Sequence, residues 1–347
     1  MKPWNYLLLL FVPALVVTGY LLGGWWNFLV PLCCFVVYPL TNFFTSSPAK
    51  DNKDAHTTFS SLAYSNIALS FVPVLIALNA WSIYVAGAQS ITIVSFAGLA
   101  LSVGIVNSVL GFTLAHEFIH RFKRKEQAAG YLLLLQNNYM HYGIEHVWGH
   151  HVYACTPQDP NTAHLGESLY AYLPRAIIGT YINAWKIETK KLSRASYKIP
   201  LLHNRMLVFG VLQIILMLLI FSAMGKISLI FFLVENAVAI ASLHTINYLQ
   251  HYGLMRKMDA NGNYERLNEH HAWNTGRYNR SLNLFQLESH ADHHIHPGRS
   301  FDNLLPKEES PVHPAGYSFM MLLSLVPPVW FKIMDKKIPS HLLKINS

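Results

Sequence analysis

The sequence predicts an all-α integral membrane protein, with about six transmembrane helices and a histidine-rich cap on the cytoplasmic side. Three observations lead there. Of 347 residues, 52% are hydrophobic and only 13% are charged, about half the charged share of an ordinary soluble domain. Asp, Glu, Lys and Arg are absent from two long stretches, 3–49 and 55–116, and each has room for two helices of the roughly 20 apolar residues that cross a bilayer. The basic residues, 26 against 18 acidic ones, all fall on one side of the resulting hairpins, Lys226 excepted.

The elements follow in order. Gly23-Gly24 divides the first stretch into spans of about 6–22 and 25–44, since paired glycines end a helical pattern in a turn. Gly87 to Ser90 divides the second into 61–86 and 91–115. A fifth apolar run, 206–225, ends where Lys226 marks a turn, and 227–248 makes a sixth, interrupted by Glu235. Three hairpins place both termini, the 49–58 loop and the longer segments 116–205 and 249–347 together. The Lys and Arg excess marks that side as cytoplasmic, in a single-domain, multi-pass protein of the cell (inner) membrane. Topology and anionic lipid headgroups then account for the net charge of +8, and the case for a nucleic-acid partner disappears. Trp4, Trp25, Trp26 and Trp81 lie near span ends, as interfacial anchors do. Pro327-Pro328 argues against a further span in the apolar stretch from Tyr317 to Phe331.

Polar residues inside this frame carry the chemistry. Cys33, Cys34 and Cys155 form no C-x-x-C pair, which excludes a disulfide framework and a thiolate metal cage. Glu235 lies about 12 Å along the sixth span at 1.5 Å per residue. A carboxyl at such depth is either functional or kept protonated or bonded to a neighbouring span. Histidine is the compositional outlier, at 19 residues. His116-Glu117-Phe118-Ile119-His120 closes the fourth span and turns two imidazoles to one helix face. Then come Glu145-His146-Val147-Trp148-Gly149-His150-His151, Asn247 to Gly253 around His251, and His290-Ala291-Asp292-His293-His294-Ile295-His296-Pro297. Four clusters on one side of a membrane exceed what a single ion can use, and the count asks for two metals. His-Glu-x-x-His by itself is also the signature of a zinc protease, with Glu117 as general base. A histidine-rich metal transporter is a third possibility, but it calls for ligands at mid-membrane depth, whereas these lie at span ends.

Taken together, these boxes resemble the membrane fatty acid desaturase and hydroxylase superfamily. Glu145 to His151 is similar to the E-H-x-x-G-H-H box of its alkane 1-monooxygenases of the AlkB type. Asn247 to Gly253 is similar to their N-Y-x-E-H-Y-G box, and Leu287 to Pro297 to their last box. The likeness continues through Leu101 to Asn107, Gly166-Glu167-Ser168 and His270-His271-Ala272-Trp273-Asn274, covering about 95–335. Three departures stand out: Arg121 follows the first box where the family has Lys, Gln250 replaces a Glu, and Glu288-Ser289 replaces Gln-Arg. Arg121 and Gln250 look more like the xylene monooxygenase hydroxylases, which attack a methyl group on an aromatic ring.

The resemblance implies a non-heme diiron centre with O2 as co-substrate. Its ligands would be His116, His120, His146, His150, His151, His251, His290, His293 and His294. Glu117, Glu145, Asp159 and Asp292 are the candidates to hydrogen-bond ligand N–H groups or relay protons. His270, His271 and His296 would support the ligands or lie at the surface, while His56, His164, His203, His313 and His341 fit no box. His141 and His244 would line the pore or back the ligands. The implied reaction is hydroxylation of an unactivated methyl group, the terminal carbon of a medium- or long-chain alkane or a benzylic methyl. An acyl-lipid desaturase or hydroxylase is the nearest alternative within oxidation chemistry. The substrate would enter from the bilayer and be held by shape, with Cys33, Cys34, Gly104 and Gly111 leaving room along the shaft. The chain has no flavin, nicotinamide or rubredoxin-like motif, so electrons would come from a separate rubredoxin or ferredoxin and its NAD(P)H-dependent reductase. The basic face, including Arg277, Arg280 and Arg299, would steer that donor in.

Overall fold

A computed structural model describes residues 2–40, 59–88, 91–195, 200–275, 283–286, 288–305, 307–339 and 342. Among the described residues, four helices are long and apolar enough to cross a membrane: α1 (Pro3–Leu22), α3 (Ser61–Ala88), α4 (Ile93–Ile119) and α8 (Arg205–His251). A shorter apolar helix, α2 (Gly24–Leu40), follows α1. The remaining helices are α5 (Arg124–Gln136), α6 (142–153), α7 (Leu169–Ser193), α9 (His290–Ile295), α10 (Tyr317–Ser324) and α11 (Pro327–Met334). The expected end of the second span, 41–44, the whole 49–58 loop, and the turn residues Gln89 and Ser90 lie outside the described residues.

Local sequence explains where these helices start and stop. The Thr92 hydroxyl caps α4 by accepting from the Ser95 N–H at 3.2 Å, and Asn204 caps α8 by accepting from Met206 and Leu207, so orphan donors of the first turn are satisfied. α8 is 47 residues long, roughly 70 Å at 1.5 Å per residue, more than twice a hydrocarbon core. It breaks at Gly225, whose φ of 86° lies in the left-handed region that glycine enters without a Cβ penalty. The turn expected at Lys226 therefore falls one residue earlier, because the glycine rather than the charge makes it. Helix also persists beyond the expected ends at 115 and 248, to Ile119 and His251. The chain is not wholly helical: Asn274–Thr275 and Val312–His313 form a short parallel strand pair. α10 and α11 are eight residues each, too short to span.

α8 packs against α3 and α4, and it comes close to α4 at Gly104, where a Cβ would meet the Glu235 carbonyl oxygen at 2.6 Å. Gly104 is thus a helix contact and leaves no room for substrate. A Cβ on Gly111 would likewise face Asn137 and Asn107. Beside this contact the Glu235 carboxylate accepts from Asn79 Nδ2 at 2.7 Å and from Asn107 Nδ2 at 2.8 Å. Asn107 in turn accepts from Gln136 at 3.2 Å. One carboxyl thereby ties α8 to α3 and α4, and through Asn107 to α5, which is the bonded alternative among the roles open to it.

α7 carries Glu188, which grips Arg205 at the start of α8 at 2.6 Å, and leaves Tyr170, Ile178, Tyr181 and Ile182 exposed. Trp25 and Trp26 are exposed as anchors would be, whereas Trp81 packs edge-on against Tyr20. Replacing Glu235 by Leu strands two buried amide donors at a cost of about 1–3 kcal/mol each. Thermal unfolding in detergent is expected to show a clear drop for Glu235→Leu and a smaller one for Glu235→Gln, which keeps an acceptor.

Candidate metal centre

The four histidine boxes meet at the ends of α4 and α8. α4 delivers His116 and, just beyond its end, His120. α6 delivers His146, His150 and His151; α8 delivers His251; and α9 delivers His290, His293 and His294. The nine residues fall into two groups: five in one, His116, His120, His146, His151 and His293; and four in the other, His150, His251, His290 and His294. Within each group the ligand atoms lie within 4.8 Å of one another.

The nitrogen positions fit metal ions better than a hydrogen-bonded chain. The Nε2 atoms of His116, His120 and His150 are buried with no hydrogen-bond partner among the described residues. Other Nε2 atoms approach only one another: His146 to His151 at 3.0 Å, His151 to His293 at 3.1 Å, His251 to His290 at 3.1 Å and His290 to His294 at 2.9 Å. Two imidazole nitrogens at right angles about an ion, each about 2.1 Å from it, are separated by about 3 Å. Burial, and next the neighbouring imidazoles, push His146, His151, His290, His293 and His294 well below the usual histidine range. They are therefore neutral, the form that binds a metal.

A π-turn sorts the second box between the groups. Residues His146–His150 run with i to i+5 spacing, a local form found often at functional sites. The five-residue step brings His146 and His151 to one ion position and leaves His150 for the other. Gly149 permits it: a Cβ there would meet Glu145 Oε1 at 2.7 Å and Asn183 Nδ2 at 2.8 Å, the two atoms that hydrogen-bond each other at 3.1 Å.

Of the four candidate carboxylates, only Asp159 bonds an imidazole. It accepts from His150 Nδ1 at 2.9 Å, both side chains fully buried. Burial opposes charge on both, but their attraction holds Asp159 below and His150 above the usual range. Thr162 donates to the same carboxylate at 2.7 Å. Glu145 accepts from Asn161 and Asn183 instead, and burial followed by repulsion from Asp159 pushes it up to about 8. Glu117 points away from the histidines, to Arg121 and the Phe301 N–H, since its neighbours His116 and His120 occupy the other helix face. Asp292 is held by Arg299 at 2.5 Å and Lys307 at 3.0 Å. Hydrogen bonding of ligand N–H groups, expected of Glu117, Glu145 and Asp292, is thus not what these three do. Arg299, assigned to donor steering, is engaged with Asp292, and Arg277, Arg280 and Leu287 lie outside the described residues.

The backbone supplies a partner that no spacing rule reveals. The His271 carbonyl accepts from His251 Nδ1 at 3.1 Å and from the Cys155 thiol at 2.9 Å. Asn274 accepts from the Ala291 N–H at 3.3 Å, so the 270–274 box orients ligands from behind. Tyr142 stacks on His146 with centroids 4.8 Å apart. His270 sits with Glu269 and Glu309 outside both groups. His141 and His244 are buried but belong to neither group, His313 bonds the Leu249 carbonyl, and His56 and His341 lie outside the described residues.

Imidazoles gathered in two largely buried groups beside apolar helices have the character of a histidine-box membrane metalloenzyme, and the family model for fatty acid desaturases matches residues 91–313. The chain belongs to that family. It is 35% identical to alkane 1-monooxygenase 1 of Pseudomonas aeruginosa over 92% of its own length and 84% of that protein's. To alkane 1-monooxygenase 2 of Alcanivorax borkumensis it is 32% identical over 91% and 84%. The hydroxylase component XylM of a Pseudomonas putida xylene/toluene monooxygenase is 30% identical over 69% and 63%. These likenesses place the chain among the monooxygenases of the family.

Removing an outer partner of a ligand typically weakens metal binding by about 10–100-fold. Metal titration is expected to show that loss for Asp159→Asn, and none for Glu117→Gln, whose carboxyl touches no imidazole.

Proposed function

We propose that the chain is an O2-dependent hydroxylase of the terminal methyl group of a medium- or long-chain alkane. The observation that carries the reading is a largely apolar cavity of about 470 Å³ that touches both histidine groups, ending on His116, His146 and His290. Leu8, Leu15, Cys33, Cys34, Val109 and Phe112 line its shaft, so α1, α2 and α4 build it. A hydrocarbon has no polar handle and is held by shape and apolar burial, which is what this wall offers. Its inner end delivers a chain terminus to the imidazoles.

The two groups suit two irons, which when bound would supply reductive activation of O2 and attack on the C–H bond. The protein's own part is to hold nine imidazoles in place, to bring negative charge close through Asp159 and His150, and to exclude water with the apolar lining of the shaft. If α8 counts as two segments around Gly225 and α2 continues as a span, the apolar helices among the described residues supply the six that the proposed topology requires. The ends of α4 and α8 that bear ligands then lie on the Lys- and Arg-rich side, the cytoplasm. A soluble donor, rubredoxin or ferredoxin with its reductase, has access to the centre only from there.

A benzylic methyl of a xylene-type alkylarene is the second reading, favoured by Gln250, whose amide donates to the Tyr317 hydroxyl at 3.1 Å where both line the cavity. The zinc protease loses its general base, because the Glu117 carboxylate is held by Arg121 and the Phe301 backbone.

Purified protein expressed with ample iron is expected to carry two irons per chain and, given rubredoxin and reductase, to convert alkanes to primary alcohols. One zinc and no iron overturns the reading. His150→Ala and His293→Ala are each expected to abolish turnover while the protein still inserts. Cys34→Trp fills the shaft, and product analysis across an alkane series is expected to shift toward shorter chains.

A further inference from the structure

His141 and His244 are buried histidines outside both metal groups, and the rings around them form a continuous line. Starting at the ligand His146, Tyr142 stacks at 4.8 Å and 25° between planes, and Tyr139 follows Tyr142 at 6.2 Å and 29°. The His141 ring lies 4.2 Å from Tyr139 and 5.2 Å from Tyr181. Tyr181 reaches Trp185 at 6.5 Å. Tyr181 is 49% exposed, and it shares an open surface groove with Trp185, Lys186 and Lys190. The line therefore runs from a histidine of the candidate centre to the protein surface beside Lys186 and Lys190. Its middle member has a second feature: the buried Tyr139 hydroxyl lies 2.7 Å from His244 Nε2.

We propose that this line is an exit for oxidising equivalents, with Tyr139 as a redox-active tyrosine and His244 as the acceptor of its proton. A phenol is hard to oxidise unless its proton leaves with the electron, and a buried phenol needs a base already in hydrogen-bonding contact. Tyr139 has one. In the step, Tyr139 gives one electron through Tyr142 to the oxidant that O2 activation would leave between the histidine groups, which is reduced by one electron, and the Tyr139 O–H proton moves to His244 Nε2. The neutral tyrosyl radical is then refilled by one electron through His141 from Tyr181 and Trp185. A solution reductant such as ascorbate or a thiol supplies that electron at the surface, and the proton returns from His244.

Phenol and indole surrender electrons only to strong oxidants, so the line is silent toward a low-potential donor and is no route for the electrons that drive turnover. It conducts when O2 has been activated and no C–H bond is in the cavity. A cavity that holds its substrate by shape alone is empty whenever hydrocarbon is scarce, and the nine imidazoles are then the nearest oxidisable groups. The inference rests on the oxygenase reading for its oxidant, while the tyrosine–histidine pair can be examined without it.

Two experiments on the full-length protein separate the parts. In the first, a photo-oxidised ruthenium tris-bipyridine complex removes an electron at the surface of protein that has been depleted of metal. Electron paramagnetic resonance is expected to show a tyrosyl radical that disappears in Tyr139→Phe and falls several-fold in His244→Gln. The same signal in Tyr139→Phe overturns the assignment. In the second, reduced iron-loaded protein meets O2 without alkane and is freeze-quenched. The same radical is expected, and Tyr139→Phe is expected to lose activity several-fold faster during substrate-free incubation while hydroxylating octane at the parental rate when substrate is present. Protein that hydroxylates octane yet gives no radical in the second experiment sinks the exit and leaves the oxygenase reading standing. Protein that gives the radical under light but neither hydroxylates nor forms it with O2 sinks the oxygenase reading itself and, with it, the exit's role.

Discussion

Everything at the candidate site depends on keeping nine imidazoles converged in a largely buried space, with His150 paired to Asp159 and the others neutral. Neutral nitrogen lone pairs pointing at one another repel, and without ions the arrangement gives up hydrogen bonds that water would supply. The surrounding protein therefore has to hold it against its own preference. Ligands come from four helices of different origin, and each is fixed from outside: α4 and α8 by their mutual packing at Gly104, α6 by the amides around Glu145, and α9 by Asn274 and by the Asp292 contacts with Arg299 and Lys307. The carboxylates that the boxes contain mostly serve this positioning. Only Asp159 reaches a ligand ring and lends it charge.

The same frame produces the cavity. Because α4 is pressed to α8 through Glu235, Asn79 and Asn107, the space left for substrate opens toward α1 and α2. Those helices make the apolar shaft, and the imidazoles of His116, His146 and His290 sit at its inner end. The polar knot in the membrane thus has an architectural task, with one carboxyl joining the helices that carry His116 and His251. It takes no part in either histidine group.

Much of this was legible in the sequence. Charge-free runs and Gly23-Gly24 revealed the apolar helices, and the spacing of the boxes revealed all nine residues that the structure gathers. What the sequence concealed falls into two kinds. Partition of the ligands between two ion positions could not be read from helical periodicity, because a helix wheel puts His146 with His150, and it is the π-turn over Gly149 that pairs His146 with His151. Contacts made by backbone atoms or by residues distant in sequence were also hidden. The His271 carbonyl behind His251 and the Asn183 amide on Glu145 have no local signature. Glu117 misled for a related reason: its place inside a ligand box suggested chemistry, but adjacent positions on a helix face different ways, and its own direction led to Arg121.

One feature of the partition reaches beyond coordination. His150 and His151 are neighbours in the chain yet belong to different groups, and so are His293 and His294, in the opposite order. Consecutive Cα atoms are held about 3.8 Å apart by the peptide unit. The two histidine groups are therefore joined twice by covalent bonds, from the separate helices α6 and α9, so that neither group shifts far without drawing the other along. Separation of the two groups is thus opposed by the backbone itself and not by packing alone.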